Sequence, residues 1–147
     1  MIETKSIGLD EARKMIDAML EFASSKKPGV PMAFAVVDSA GILVAFARMD
    51  GAAPAPRYMA ENKAFTVAHC KDLGSSEDVG NFIKKDFSYD LACFVEHGRL
   101  VPVSGGLPIK TRDGAVIGAV AASGRQGFED VEVAKAGLKA IEKILKA

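Results

Sequence analysis

Lys63, Thr66 and His69 are the side chains best suited to chemistry in this chain, and they lie within seven residues of one another. An ammonium group can bind and polarise an organic acid, and an imidazole can contact a ligand or move a proton near neutral pH. Their segment carries few charges, so a helix formed there is expected to be covered on more than one side. Its polar side chains then need partners or a ligand. The segment predicts either the wall of a ligand pocket or a subunit interface.

A second candidate is the run Arg48-Met49-Asp50-Gly51, which follows a predicted strand. The guanidinium of Arg48 can make a bidentate contact to a ligand carboxylate, and Asp50 lies beside it. A structural pairing of Arg48 with Asp50 is the alternative. We treat both residues as candidate ligand-binding residues.

Two glycines, Gly105 and Gly106, precede another predicted strand. Glycine is favoured where the backbone takes a positive φ or approaches another group closely. Such a turn can present its amide groups to an anionic ligand, or it can be purely structural. Both glycines are therefore candidate ligand-binding residues.

The run from Ser123 to Gly127 leads into the last predicted helix and contains Arg125. Free amide groups, the helix dipole and the Arg125 cation together predict an anion site, with Arg125 as a ligand-binding residue. Glu129 and Asp130 oppose this, because their carboxylates could satisfy the same amides. Alternatively, Glu129 or Asp130 acts as a catalytic base or as a metal ligand.

The composition excludes several classes of protein. Lysine plus arginine and aspartate plus glutamate each number 19, and this zero net charge does not suit a nucleic-acid-binding protein. Two cysteines and two histidines are too few for a structural zinc site, and we predict no metal site. The cysteines are expected to be free thiols, a single disulfide being the alternative. No signal peptide or membrane span is recognisable, which predicts a cytoplasmic protein. The 49% hydrophobic content suits a homo-oligomer.

The pattern of hydrophobic residues predicts one α+β domain over residues 1–147, with the element order α-β-β-α-α-β-β-β-α. Such an order builds a five-stranded antiparallel sheet with flanking helices. The segment Phe87–Glu96 is rich in aromatic residues and is interpreted as a ligand-specific lid. The predicted strands are Met32–Val37, Ile42–Arg48, Leu100–Val103, Leu107–Thr111 and Ala115–Ser123, and the clearest helices are Leu9–Ser25, Pro56–Leu73 and Phe128–Lys146.

The whole set of motifs resembles the GlcG / HbpS / PduO C-terminal family, whose members are described as heme-binding or heme-degrading domains. The landmarks that carry the resemblance are Ala35–Asp38, Arg48–Gly51, Gly105–Ile109, Ile117–Ala119, Ser123–Gly124 and Gly137–Leu138. The resemblance implies the same α+β layout and a small-ligand-binding protein. Its ligand would be heme or a corrinoid, with either His69 as the axial ligand or coordination by a weaker group.

Two other hypotheses stay open. The chain could be a small enzyme, a hydrolytic deaminase or a related one, that acts on a carboxylated metabolite. Arg48, Lys63, His69 and Arg125 would then bind and polarise the acid, and His69 or Glu129 would move protons. The candidate catalytic residues are His69, Lys63 and Glu129. It could also be a structural or regulatory oligomer without a ligand, in which substitutions at Lys63 or His69 would change assembly alone.

Overall fold

The computed structural model describes residues 1–25, 29–86 and 95–147. The helices are α1 (Leu9–Ser25), α2 (Pro54–His69), α3 (Ser76–Asp86), α4 (Gly127–Ala140) and α5 (Glu142–Lys146). The strands are β1 (Ala33–Asp38), β2 (Leu43–Arg48), β3 (Gly106–Lys110) and β4 (Val116–Ser123). The predicted lid segment falls almost entirely on residues 87–94, which lie outside the described residues, so the lid stays a prediction.

All neighbouring strands are antiparallel, and the sheet order is β2-β1-β4-β3. The hairpin between β1 and β2 forms as the sequence predicts. The carboxylate of Asp38 accepts the N–H groups of Ala40 and Ile42, both at 2.9 Å, and Gly41 takes a φ of +81°. Side-chain acceptance of turn amides by aspartate is a common way to fix such a turn.

The central strands β1 and β4 are buried on both faces, and the two faces differ in residue size. The face toward α1 and α4 carries large side chains such as Phe34, Val36 and Ile109. The face toward α2 is built mainly from alanine, so the helix can approach the backbone closely. Its buried residues are Ala33, Ala35, Val37, Ala119 and Ala121 on the strands and Ala60, Ala64, Val67 and Ala68 on α2.

The prediction of a five-stranded sheet is wrong: within the described residues the sheet has four strands. Leu100–Val103 is not a strand because side chains of the neighbouring helices take its backbone groups. The N–H of Val101 donates to Oγ1 of Thr66 at 2.7 Å, and the carbonyl of Val103 accepts from Oγ of Ser76 at 2.5 Å. Pro102 has no N–H to contribute to a ladder.

The predicted final helix is in fact two helices, because the chain breaks at Ile141 with φ −115° and ψ 11°. The Ile141 side chain is fully buried, and this anchors the short α5 beside α4. Across residues 1–25, 29–86 and 95–147, no helix combines the length and apolarity that crossing a membrane requires.

Candidate functional site

Lys63 is a buried cation whose ammonium group is fully hydrogen-bonded. It lies in the middle of α2, and its side chain is 3% exposed. Nζ donates to the carbonyl of Ala122 at 3.2 Å, to Oγ of Ser123 at 3.2 Å and to Oδ2 of Asp130 at 2.9 Å. An ammonium group has three protons, so each has an acceptor within the protein. The catalytic role predicted for Lys63 stays a prediction.

Asp130 in the first turn of α4 is the counter-ion, and it joins the two sides of the sheet. Its Oδ2 accepts from Lys63, and its Oδ1 accepts the backbone N–H of Arg125 at 3.0 Å. Burial raises the pKa of Asp130 above its usual range, and the Lys63 cation opposes that rise. The pair connects α2 to the start of α4 around the end of the sheet.

Gly105 lets the chain pass against this ion pair. Its φ is +128°, and a Cβ there would lie 2.6 Å from the Ala122 carbonyl oxygen and 2.8 Å from Nζ of Lys63. Gly106 is equally confined, because a Cβ would lie 2.8 Å from the Lys63 carbonyl oxygen. Its N–H donates to Oγ of Ser76 at 2.9 Å. The contact of both glycines with a ligand stays a prediction.

Arg125 and Glu129 both contact backbone groups of this chain. Nε of Arg125 donates to the Val30 carbonyl and Nη2 to the Ala23 carbonyl, both at 2.9 Å. The Glu129 carboxylate accepts the N–H of Gln126 at 3.1 Å and completes a capping box at the start of α4. The carboxylates of Glu129 and Asp130 thus accept backbone N–H groups around the start of α4. The sequence offered this arrangement as the alternative to an anion site.

Within the described ranges, no buried side-chain nitrogen or oxygen lacks a hydrogen-bond partner. The cluster of Lys63, Ser123 and Asp130 is therefore complete without a ligand. The same ranges hold no group of three or more His, Cys, Asp and Glu side chains arranged to bind a metal ion.

Thr66 marks the point where residues 95–101 cross α2, and we call this segment the strap. Oγ1 of Thr66 accepts the N–H of Val101 and donates to the carbonyl of Asn62, both at 2.7 Å. One hydroxyl thus fastens the end of the strap to the helix. The ligand-binding role predicted for Thr66 is not tested by these contacts.

Arg99 fastens the middle of the strap. Its guanidinium lies 3.8 Å from the centre of the Phe65 ring, which is within the range of a cation–π interaction. Nε donates to Oδ1 of Asn62 at 3.3 Å, and Nη2 lies 3.7 Å from Oε1 of Glu61. Arg99 therefore places a partly exposed cation over an aromatic ring on the outer side of α2.

His69 lies at the last position of α2, under the beginning of the strap. Its ring stacks on Phe65 with 5.1 Å between centres and 18° between planes. Nε2 of His69 lies 3.3 Å from Oε1 of Glu96, and the two side chains are 41% and 44% exposed. Imidazole, carboxylate and guanidinium thus lie on one surface, over the buried ring of Phe65.

The strap begins with an unusual backbone. Glu96 and His97 have φ values of 50° and 57°, and Gly98 follows at 75°. A residue other than glycine held in this left-handed region costs about 1–3 kcal/mol and persists only where surrounding contacts support it. Contacts of Glu96, Arg99 and Val101 with α2 supply that support.

Arg48 and Asp50 are exposed at the end of β2, and neither pairs with the other in the described ranges. Through β1, Arg48 lies in the same row across the sheet as Ser123, since both are opposite Ala33. They are therefore at the end of the sheet that holds the buried ion pair, but on its surface. Their ligand-binding role remains a prediction.

Of the predicted site residues, Arg125 and Glu129 line a cavity of the described structure. A cavity of about 240 Å³ between α1 and α4 is lined by Arg125 and Glu129 together with Phe22 and Phe128. Larger ones of about 580 and 470 Å³ lie against α5. Neither of the larger cavities is lined by Lys63, Thr66 or His69.

The predicted site residues therefore do not come together in one place. Lys63, Gly105 and Gly106 meet at the buried pair, whereas His69 lies on the surface of α2. Sequence reasoning missed Arg99 and Glu96 as neighbours of His69. Their only sequence signal is that a carboxylate and a cation occur at the end of the aromatic-rich segment.

The thiol of Cys70, directly after α2, provides a first prediction. Burial raises its pKa, and the residue packs against Val79 and Ile83. Because the thiolate is the nucleophile, we expect iodoacetamide at about pH 8 to alkylate Cys70 at least roughly threefold more slowly than free cysteine. A Cys93→Ser background leaves Cys70 as the sole thiol. A rate equal to that of free cysteine would contradict the prediction.

Comparison with known proteins identifies the chain's relatives. The family described as "Haem degrading protein HbpS-like" matches residues 7–139. Protein GlcG of Escherichia coli strain K12 is 35% identical over 99 residues, which are 67% of this chain and 69% of GlcG. Protein ORFY of Klebsiella pneumoniae superposes with a TM-score of 0.85 at 27% identity, covering 97% of this chain and 94% of ORFY.

A PduOC:heme complex shares the fold, with a TM-score of 0.80 at 24% identity over 92% of this chain and 95% of PduOC. The landmarks of the sequence, the α+β sheet and these matches agree with one another. The chain belongs to the HbpS-like family, which includes the GlcG and PduO C-terminal type of domain.

Proposed function

We propose that this chain binds heme on the outer surface of α2, with the imidazole of His69 as the protein ligand to iron. One observation carries the proposal: His69 is a partly exposed imidazole placed beside an aromatic ring and a guanidinium on one surface. The description of the family as heme-degrading, and the heme in the PduOC complex, support this choice of ligand.

The residues on this surface fit heme in chemical type. A histidine nitrogen is a common axial ligand to heme iron. The buried ring of Phe65 stacks on the His69 imidazole and orients it, and Arg99, which is partly exposed over that ring, offers a cation suited to a carboxylate. Bound heme would supply an iron centre capable of oxygen or electron chemistry.

The alternative of an enzyme for a carboxylated metabolite draws on Lys63. Because the ammonium of Lys63 already has three acceptors in the protein, it has no proton left for a substrate carboxylate. Freeing it would leave the buried carboxylate of Asp130 without its counter-ion. We therefore place heme binding first.

A hemin titration followed by the Soret band tests the proposal. We expect one heme per chain, and an affinity that falls at least about tenfold in His69→Ala. The chain has only two histidines, and His97 is exposed in the same strap, so His97→Ala is a matched control. It should bind like the wild type.

Two results would contradict the proposal. One is a titration that does not saturate, and the other is an equal loss of affinity in both histidine variants. Light scattering on the same samples tests the predicted homo-oligomer, which the described contacts leave open.

A further inference from the structure

We propose that Glu96 is an intramolecular competitor for His69, so that the strap regulates access of a ligand to the imidazole. The inference rests on the heme-binding function proposed above. The carboxylate of Glu96 lies 3.3 Å from Nε2, which is the nitrogen farthest from the histidine backbone and the one best placed for an external ligand. A group that binds through Nε2 must first displace this carboxylate.

The remaining approach to the ring is restricted. One face of the imidazole is stacked on Phe65, and an imidazole binds a metal through a nitrogen lone pair that lies in the plane of the ring. The contact with Glu96 lies at the surface, with 41% of His69 and 44% of Glu96 exposed. It can open without disturbing the buried core.

The backbone conformation of the strap helps to place the Glu96 carboxylate against Nε2 of His69. Glu96 and His97 are both in the left-handed region, and such consecutive residues need support from outside the turn. Arg99 on Phe65 and Val101 on Thr66 supply it from α2. The strap is thus a fastened element whose first side chain ends on His69.

Removing the Glu96 carboxylate should have a modest effect on access to the His69 imidazole. Glu96 contacts His69 on this surface, and Arg99 beside them lies 3.7 Å from Glu61. Exposed ion pairs are weak, which corresponds to a change of about two- to fivefold when one partner is lost.

Accessibility of His69 can be measured without heme. Diethyl pyrocarbonate modifies imidazole nitrogens, and in a His97→Ala background His69 is the sole histidine. We expect Glu96→Asn to increase the rate of His69 modification about two- to fivefold. Asparagine tolerates the left-handed backbone but is too short to reach Nε2. Glu132→Asn removes a similar exposed carboxylate, paired with Lys135 on α4, and should leave the rate unchanged.

A hemin titration of the same variants separates this proposal from the function on which it rests. Faster modification together with two- to fivefold tighter hemin binding in Glu96→Asn supports both. Faster modification without any hemin binding supports competition and overturns heme as the ligand. An unchanged modification rate, or weaker hemin binding in Glu96→Asn, overturns the competitor role of Glu96 while leaving the heme titration of the parent chain to stand.

Discussion

Replacing Lys63 with Met is expected to lower the free energy of unfolding by about 3–5 kcal/mol, because it leaves the Asp130 carboxylate buried without its counter-ion. Methionine has a similar length and is unbranched, so lost packing contributes little. Urea denaturation followed by far-ultraviolet circular dichroism measures the change. The matched control is Lys135→Met, which breaks an exposed pair with Glu132 and should cost at most about 1 kcal/mol.

The double variant Lys63→Met/Asp130→Asn should recover part of the loss, since asparagine removes the charge and still accepts the Arg125 N–H.

The deficit in the free energy of unfolding of Lys63→Met should also depend on pH. Burial raises the pKa of Asp130 and the Lys63 cation lowers it, so without Lys63 the folded variant takes up a proton at Asp130 more readily than either the folded wild type or the unfolded state. The deficit is then largest at neutral pH and shrinks as the pH falls toward the ordinary aspartate pKa of about 3.9. A deficit that is constant with pH would argue against an uncompensated carboxylate.

Gly105→Ala is expected to destabilise the protein by about 2–4 kcal/mol, through left-handed backbone strain and steric overlap together. The new Cβ would lie 2.6 Å from the Ala122 carbonyl oxygen, which belongs to a central strand and cannot move freely. The same denaturation experiment measures this effect. If the alanine side chain also separates Lys63 from Asp130, the loss should lie at the upper end of this range.

Gly114→Ala separates the two causes. Gly114 has a φ of +85°, but a Cβ there would meet nothing within 4 Å. Its cost should therefore be the backbone strain alone, about 1 kcal/mol. Equal losses at Gly105 and Gly114 would show that close approach to the ion pair is unimportant.

Local features of the fold could be predicted because their causes lie within a few residues. The stripe of Ala12, Ile16, Met19 and Ala23 on α1 is buried as its spacing predicts. Leu9, which the same spacing would place in this stripe, is exposed. Met15 is buried instead, since the covered face of α1 is wider than a single stripe.

The error in the strand count has a tertiary cause. Leu100–Val103 has the composition of a strand, but Thr66 and Ser76, distant in sequence, take its backbone hydrogen bonds. Strand propensity describes a residue's fit to a pleated surface, and it contains no information about which side chains will arrive from elsewhere.

For the candidate site, as for the fold, local features could be predicted from the sequence and long-range contacts could not. The low charge of α2 indicated that Lys63 would be covered and would need a partner. The partner is Asp130, 67 residues away, and no spacing rule connects the two. The neighbours of His69 depend on the path of the strap, which local sequence signals do not determine.

The order of strands in the sheet has a consequence for synthesis on the ribosome. β1 lies between β2 and β4, so it gains one neighbour at once and the other only after Val116–Ser123 has emerged. Until then a nascent chain exposes to other chains one edge of β1, whose first five residues, AFAVV, carry no charge. Unpaired apolar edges are templates for aggregation. Slow translation between residues 48 and 116 would therefore lower the yield of folded protein, whereas a pause after β4 would not.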